Sequence, residues 1–544
     1  MRNGIIAIVG LSLVLGSLAC GGEGTPDQVV LGDGDFTKTD GKWDSSAVAV
    51  FLDFEFDAEV YTSSRWRIEQ QIEDQLLYTI GQLNGETSVG RLDKLTLTDV
   101  RTVSEGSGFL TTYHAVLPVA WGKRDDVPAE YALLLPRDNT SAGQDAFTEK
   151  YSHSCVDWGA HDVTPGSMWY YYRPERSGCS LDDADIVKAA AAVSVSDLGT
   201  TGKYPEYDLV WQDRALNVVA IFGKYEDGAT TSSDAGISAY NEFVRDLKRS
   251  LAGYGLTTTP ADVPDAPGIA MDDIVFEATL PGGETITITT LLVDNVRTAG
   301  AEFDARYEAL TPTADLITYN GHAGLGSNIR AMANKGSWAQ GQYAVVFMNG
   351  CDTYAYVDSA LFDAHAAVNP DDDVGTKYVD IVTNAMPSFF SNMSDSTLAI
   401  VEALIAFDEP LTYERIFTKI SSTQVVLVSG EQDNTYVPGG GGGSGDPAWS
   451  GLAESGTLAR AEEARFETPT LPAGAYLFEM TGTGDADLHV RVGLAPTTSA
   501  FDCRPYKTGS DEKCVVELDA PTTIHVMVRG YSAESTFELV GSPR

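Results

Sequence analysis

The 544 residues contain no HExxH motif and no cysteine pairs at zinc-ligand spacing, which removes the common zinc signatures and leaves no metal ligand set to name. The GLGSN segment around Ser327 lacks the GxSxG elbow, which disfavours a serine hydrolase. Cations are few: 36 Lys and Arg stand against 78 Asp and Glu, a formal net charge of −42. A field of that sign repels phosphate backbones, so nucleic acid is not an expected partner, and solubility outside the cell is its plainest use. The apolar run Ile5–Leu18 is too short for a membrane span. Cysteine is scarce too, with six in the whole chain.

That apolar run follows Arg2 and ends in Ser-Leu-Ala before Cys20, the layout of an export signal over residues 1–19. Cys20 in this setting resembles the lipidated cysteine of bacterial lipoproteins. The resemblance implies an exported protein, either a lipoprotein of the bacterial outer membrane or cell envelope or a protein free outside the cell. A lipid anchor is the only membrane contact expected. Export implies an oxidising compartment, where nearby cysteines close into disulfides. Cys155 and Cys179 flank a Tyr-rich segment, and Cys503 and Cys514 share a short polar one, so Cys155–Cys179 and Cys503–Cys514 are the expected pairs. With Cys20 lipidated, Cys351 is left over, either as an inert buried thiol or as a reactive one.

Residues 20–45 are rich in Gly, Asp and Thr and read as a flexible tether. From 46 to 204, a strand at VAVFLDF, a helix over 63–83 and strand-like KLTLTDV, HAVLPVAW and YALLLP predict an α+β domain. Ile68, Ile72, Leu76 and Ile80 recur every four residues and form one stripe of that helix. From 205 to 437 strands alternate with helices. LNVVAIFGK precedes a helix opened by Ser233 or Asp234, TITITTLLV precedes one carrying Phe303, Tyr307 and Leu310, and LITY and YAVVFM follow. This alternation predicts an α/β domain with a mostly parallel sheet flanked by helices, whose ligands sit at the carboxyl ends of the strands. Residues 438–448 are a Gly-rich linker, and short β-type runs across 449–544 predict an all-β sandwich.

In ADLITYNGHAGLG, His322 directly follows a strand, and in YAVVFMNGCDTY so does Cys351. Parallel neighbours lie ~4.8 Å apart, so both residues can reach one substrate carbonyl. A cysteine nucleophile needs its thiolate, a group that handles protons and backbone donors for the oxyanion. Gly321, Gly324, Gly326 and Gly350 keep the chain thin around the pair. The alternative is that both residues mark ordinary strand-end turns. His365, in LFDAHAAVNPDDD, reads as a surface residue. The acidic NPDDDVG is either a solvated loop or a structural calcium loop, and no other cofactor is expected.

The strand–GHAG and strand–NGC pair resembles the His and Cys motifs of the caspase-like cysteine peptidases, the group of caspases, metacaspases, legumain, clostripain and the gingipains. The resemblance spans about Tyr207 to Tyr436. It implies a caspase-like α/β domain and an exported cysteine endopeptidase that hydrolyses protein or peptide substrates through a Cys–His dyad. Cys351 would be the nucleophile and His322 the proton donor to the leaving amine. The backbone N–H groups of Ala323, Gly350 and Cys351 would form the oxyanion hole. Where the group places glycine directly after the histidine, this chain has Ala323, with Gly324 next. Two residues before the cysteine, where metacaspases and legumain place a specificity acid, stands neutral Asn349. Asn349 and Asp352 are the expected substrate contacts, with Asp358 as a further acid. Two other readings stay open: an inactive caspase-like surface binding protein, and a cysteine transferase or amidase on the same scaffold. Beyond the linker, GDADLHVRVGLAPTTSAFDCRPYKTGSDEKC and IHVMVRGYSAESTFELV resemble the bacterial pre-peptidase C-terminal domain over about Trp449 to Val540, which implies an accessory sandwich on a secreted peptidase.

Overall fold

In the strand Val50–Thr62, Leu52, Phe54, Phe56, Ala58 and Val60 alternate with Asp53, Glu55, Asp57 and Glu59, and the apolar set is buried while the acids lie further out. Strand by strand, this alternation builds a seven-stranded antiparallel sheet in the N-terminal region. The helix Ile68–Asn84 covers one face, with Ile68, Ile72, Leu76 and Ile80 buried against it. The computed structural model describes residues 36–37, 44–160, 163–438, 449, 451–471, 474–505, 507–518 and 522–543. The export signal, Cys20, most of the tether and nearly all of the Gly-rich linker lie outside these residues.

The central sheet has nine strands. Its middle five, Thr285–Val293, Ala215–Gly223, Leu316–Asn320, Ala344–Asn349 and Val379–Asn384, are neighbours in that order and all parallel. Antiparallel strands close both flanks. Runs such as Val218–Phe222 and Val345–Met348 are apolar without alternation because helices or packed side chains cover both faces. The helices Ala235–Leu251 and Phe390–Ile405 pack on one face, together with Leu216, Phe222 and Phe347.

Two features depart from the expected boundaries. Asp44–Ser46, whose first two residues were assigned to the tether, is a strand that pairs antiparallel with Val426–Ser429 and forms one edge of the central sheet. The second face of that sheet, with Ile221, Ile317, Tyr319, Val346 and Met348, shares one continuous core with the N-terminal sheet. No gap in packing therefore marks position 204. The join is also ionic: buried Asp44 meets Lys94 Nζ at 2.7 Å and Arg91 Nη1 at 3.4 Å, and accepts from the Tyr354 hydroxyl at 2.7 Å. Burial alone would raise the Asp44 pKa, but Lys94 and Arg91 hold it below the usual carboxylate value.

The C-terminal region packs a four-stranded sheet on a three-stranded one around a core of its own, including Phe478, Leu488, Val526 and Leu539. The Cys503–Cys514 disulfide lies in this region, and Cys155–Cys179 in the N-terminal one. Both fit the oxidising compartment of an exported protein.

Candidate functional site

In chain order the five parallel strands lie 2-1-3-4-5, so the order reverses between Ala215–Gly223 and Leu316–Asn320. A crevice opens at such a switch point, outside the carboxyl ends of the strands. Here it lies between the loop after Gly223 and the turn after Asn320. Asp234, the N-cap of the helix Ala235–Leu251, fixes the first loop by accepting from the N–H groups of Tyr225 at 3.1 Å and Glu226 at 2.9 Å. In the second, the His322 carbonyl accepts from the Tyr319 hydroxyl at 2.9 Å and from Asn328 Nδ2 at 2.8 Å. His322 Nε2 then spans the crevice to the Tyr225 carbonyl at 3.1 Å. The Tyr225, His322 and Phe390 rings contact one another, with centroids 5.2 to 5.7 Å apart.

Cys351 sits one strand further along and is only partly exposed. Its Sγ points to the Ser388 carbonyl, 3.8 Å away, and no hydrogen bond links it to His322. Burial, reinforced by the adjacent Asp352 charge, pushes the thiol up to about 12, so the thiolate is a rare species at neutral pH. Tyr170, from the N-terminal region, faces both Cys351 and Asp352.

The expected substrate contacts and one of the expected oxyanion donors, Gly350, are also placed differently. Asn349 is fully buried in a ladder of strand-end amides: its Nδ2 donates to Asn320 Oδ1 at 2.8 Å, and its Oδ1 accepts from Asn384 Nδ2 at 3.0 Å and from the Ser388 hydroxyl at 2.7 Å. It holds strands together, and its side chain is committed to that ladder. Asp352 is buried with φ of 52°, and burial raises its carboxyl to about 6 despite Tyr170, Arg173 and Asn84 nearby. A sealed acid cannot read a substrate side chain. The Gly350 N–H is committed to the Met348 carbonyl at 3.1 Å, and Ala323 is buried with its carbonyl bracing the turn. The positive φ values fall on Gly324, Leu325 and Gly326, so an alanine at 323 is under no strain of that kind.

His365 is buried and not at the surface. It packs on Trp338 at 4.7 Å, and burial lowers its pKa to about 4. In the acidic loop, Asp372 accepts from the N–H groups of Gly375, Thr376 and Lys377, while Asp371 pairs with Lys377. Among the described residues no three His, Cys, Asp or Glu side chains are grouped to hold a metal ion.

At the amino edge of the same sheet lies a cluster that the sequence reading missed. Asp380 accepts from the Tyr343 and Tyr413 hydroxyls, both at 2.6 Å, yet no other N–H or O–H group reaches Asp380 Oδ1, Glu206 Oε2 or Glu431 Oε1 unless the adjoining Asp380 and Glu431 carboxyls share a proton. Burial first, and mutual repulsion second, raise Glu206 and Glu431 well above the usual carboxyl value; burial raises Asp380 to about 6.

Residues 470–530 match the family described as the bacterial pre-peptidase C-terminal domain. The sandwich is such a domain. A neutral protease of Vibrio proteolyticus is 51% identical over 65 residues, covering 12% of this chain and 11% of its own length. A zinc metalloprotease of Helicobacter pylori is 59% identical over 51 residues, 9% of this chain and 20% of its own. The chain thus spans about a tenth of the first relative's length. An alkaline serine exoprotease A of Vibrio alginolyticus is 24% identical over 388 residues, 67% of this chain and 71% of its own. A solved structure titled vEP C-ter 100 is 35% identical over 17% of this chain and 80% of its own, with a TM-score of 0.11.

These relatives are metallo- and serine-type proteases, and they overturn the expectation of a cysteine-type endopeptidase acting through a Cys351–His322 dyad. The geometry agrees: the thiol is turned to the Ser388 carbonyl, where burial and Asp352 disfavour its thiolate, and the imidazole is engaged with Tyr225.

Proposed function

We propose that the chain is an exported peptidase that hydrolyses protein substrates in the crevice around His322, with the sandwich as an accessory module and without a Cys351 thiolate. The observation that carries this reading is the pre-peptidase C-terminal domain at 470–530, and the protease names of the relatives accord with it. His322 suits proton transfer. A carbonyl oxygen only accepts, so the Nε2 facing Tyr225 carries the proton and Nδ1 keeps its lone pair in the neutral ring. An exposed imidazole with a fixed tautomer can take a proton from an attacking group and return it to the leaving amine. A caspase-like fold for the central domain, used without thiol chemistry, belongs to the same proposal and draws support from the parallel strands that carry His322. Attachment to the cell envelope through a lipid on Cys20 belongs to it as well.

Purified mature protein incubated with labelled casein should release soluble peptides. His322→Ala should slow release about 100-fold or more, while a thiol-directed epoxide should leave the rate unchanged. Casein that stays intact, or activity lost to the epoxide, overturns the reading.

A further inference from the structure

Large apolar side chains at the surface of a soluble protein are ordinary when scattered and informative when gathered. Three of them lie on segments that border the switch-point crevice: Tyr225, Leu325 and Phe389 are 46%, 41% and 61% exposed. Tyr225 meets His322 with its ring tilted and Phe390 edge-to-face, Leu325 stands in the turn three residues after His322, and Phe389 precedes Phe390. Leu325 has φ of 50°, between Gly324 and Gly326 at 59° and 86°. A leucine in the left-handed region costs about 1 kcal/mol or more, which a glycine or asparagine would avoid. The turn nonetheless holds a leucine up to solvent. The backbone at Tyr225 and in the turn that carries Leu325 is fixed by Asp234, Tyr319 and Asn328, so this part of the wall is preorganised while its apolar surface stays uncovered.

We propose that this crevice is a subsite for a large apolar side chain of a polypeptide substrate, an inference that rests on the peptidase reading and names its substrate class. Phe- or Leu-sized side chains fit the exposed rings. Glu226 and Asp227, which follow Tyr225, turn away an acidic side chain by like charge.

The test is calorimetric titration of the full mature protein with blocked tripeptides that differ at one position: Phe, Ala, Arg or Glu. The Phe peptide should bind about tenfold or more tighter than the Ala peptide, with Glu weakest. Tyr225→Ala and Phe389→Ala should each erase most of the preference for Phe, and Tyr225→Phe should keep it. Leu325→Gly, which relieves strain while removing the side chain, should weaken the preference without lowering the melting temperature. Arg or Glu binding best, a Phe preference that survives both alanine variants, or no binding by any peptide overturns the proposal. Binding is read without turnover, so a protein inert toward casein that still prefers Phe refutes the peptidase reading alone.

Discussion

At the carboxyl edge of the central sheet the backbone of the crevice is held by hydrogen bonds while its aromatic rings stay open; at the amino edge Glu206, Asp380 and Glu431 are sealed in, each with an oxygen that no amide or hydroxyl donor reaches. The first arrangement favours an incoming ligand and the second an incoming proton.

A third buried cluster, Asp44 with Lys94 and Arg91, tests whether pairing is what distinguishes these sites. Asp44→Ala removes the buried carboxylate that Lys94 and Arg91 share, while Arg91 keeps Asp93, and should cost ~3–5 kcal/mol, read as a shift in the urea midpoint. A loss below ~1 kcal/mol would mean that water reaches the cluster and that pairing does not set it apart.

Next in size is the contrast between His322 and Cys351. A thiol raised from its ordinary value near 9.0 to about 12 carries roughly a thousandfold less thiolate at neutral pH. Iodoacetamide should therefore label native Cys351 about 1000-fold more slowly than a cysteine peptide, and the rate should climb with pH. Asp352→Asn, which removes a charge that opposes the thiolate, should speed labelling. Rapid labelling of the native protein at pH 7 would place Cys351 with the open groups of the crevice.

The smallest effect concerns the amino edge, and its sign is opposite to that of Asp44. Carboxyls raised in the folded state contribute stability that is fully present below their unfolded pKa and is lost as pH rises through the folded value, which for Asp380 is about 6. Glu431→Gln removes one of these charges permanently. It should stabilise the protein by ~1 kcal/mol at pH 8 and lose that advantage near pH 5, as thermal melts at the two pH values would show. Destabilisation at pH 8 would show that the Glu431 charge is compensated and that the cluster belongs with Asp44.

Local pattern reached a good part of this structure. The stripe Ile68, Ile72, Leu76 and Ile80 is set by helical spacing, and His322 and Cys351 follow their strands directly in the chain. The asparagine ladder left a readable signal too, since LITYN, VVFMN and IVTN each end a strand on asparagine. What local pattern could not reach is set by pairing across the chain. Tyr225 meets His322 over a separation of 97 residues, and Tyr170 reaches Asp352 from the other region. The thiol's state depended on burial, which a strand-end position does not reveal. A motif could place Cys351 near a substrate carbonyl, but not tell whether its sulfur would be charged.

The short strand Asp44–Ser46 carries one more consequence, for the route by which this molecule is made. It leaves a ribosome or an export channel early, and it locks against Val426–Ser429, some 380 positions later. Until that late segment emerges, the early strand has no mate, and the sheet remains unfinished along one side. Contacts of such long range are slow to form, and unpaired edges attract the wrong neighbours while they wait. Passage through an export channel as an extended thread suits this wiring, because the seam can close only after the chain has crossed as far as Ser429.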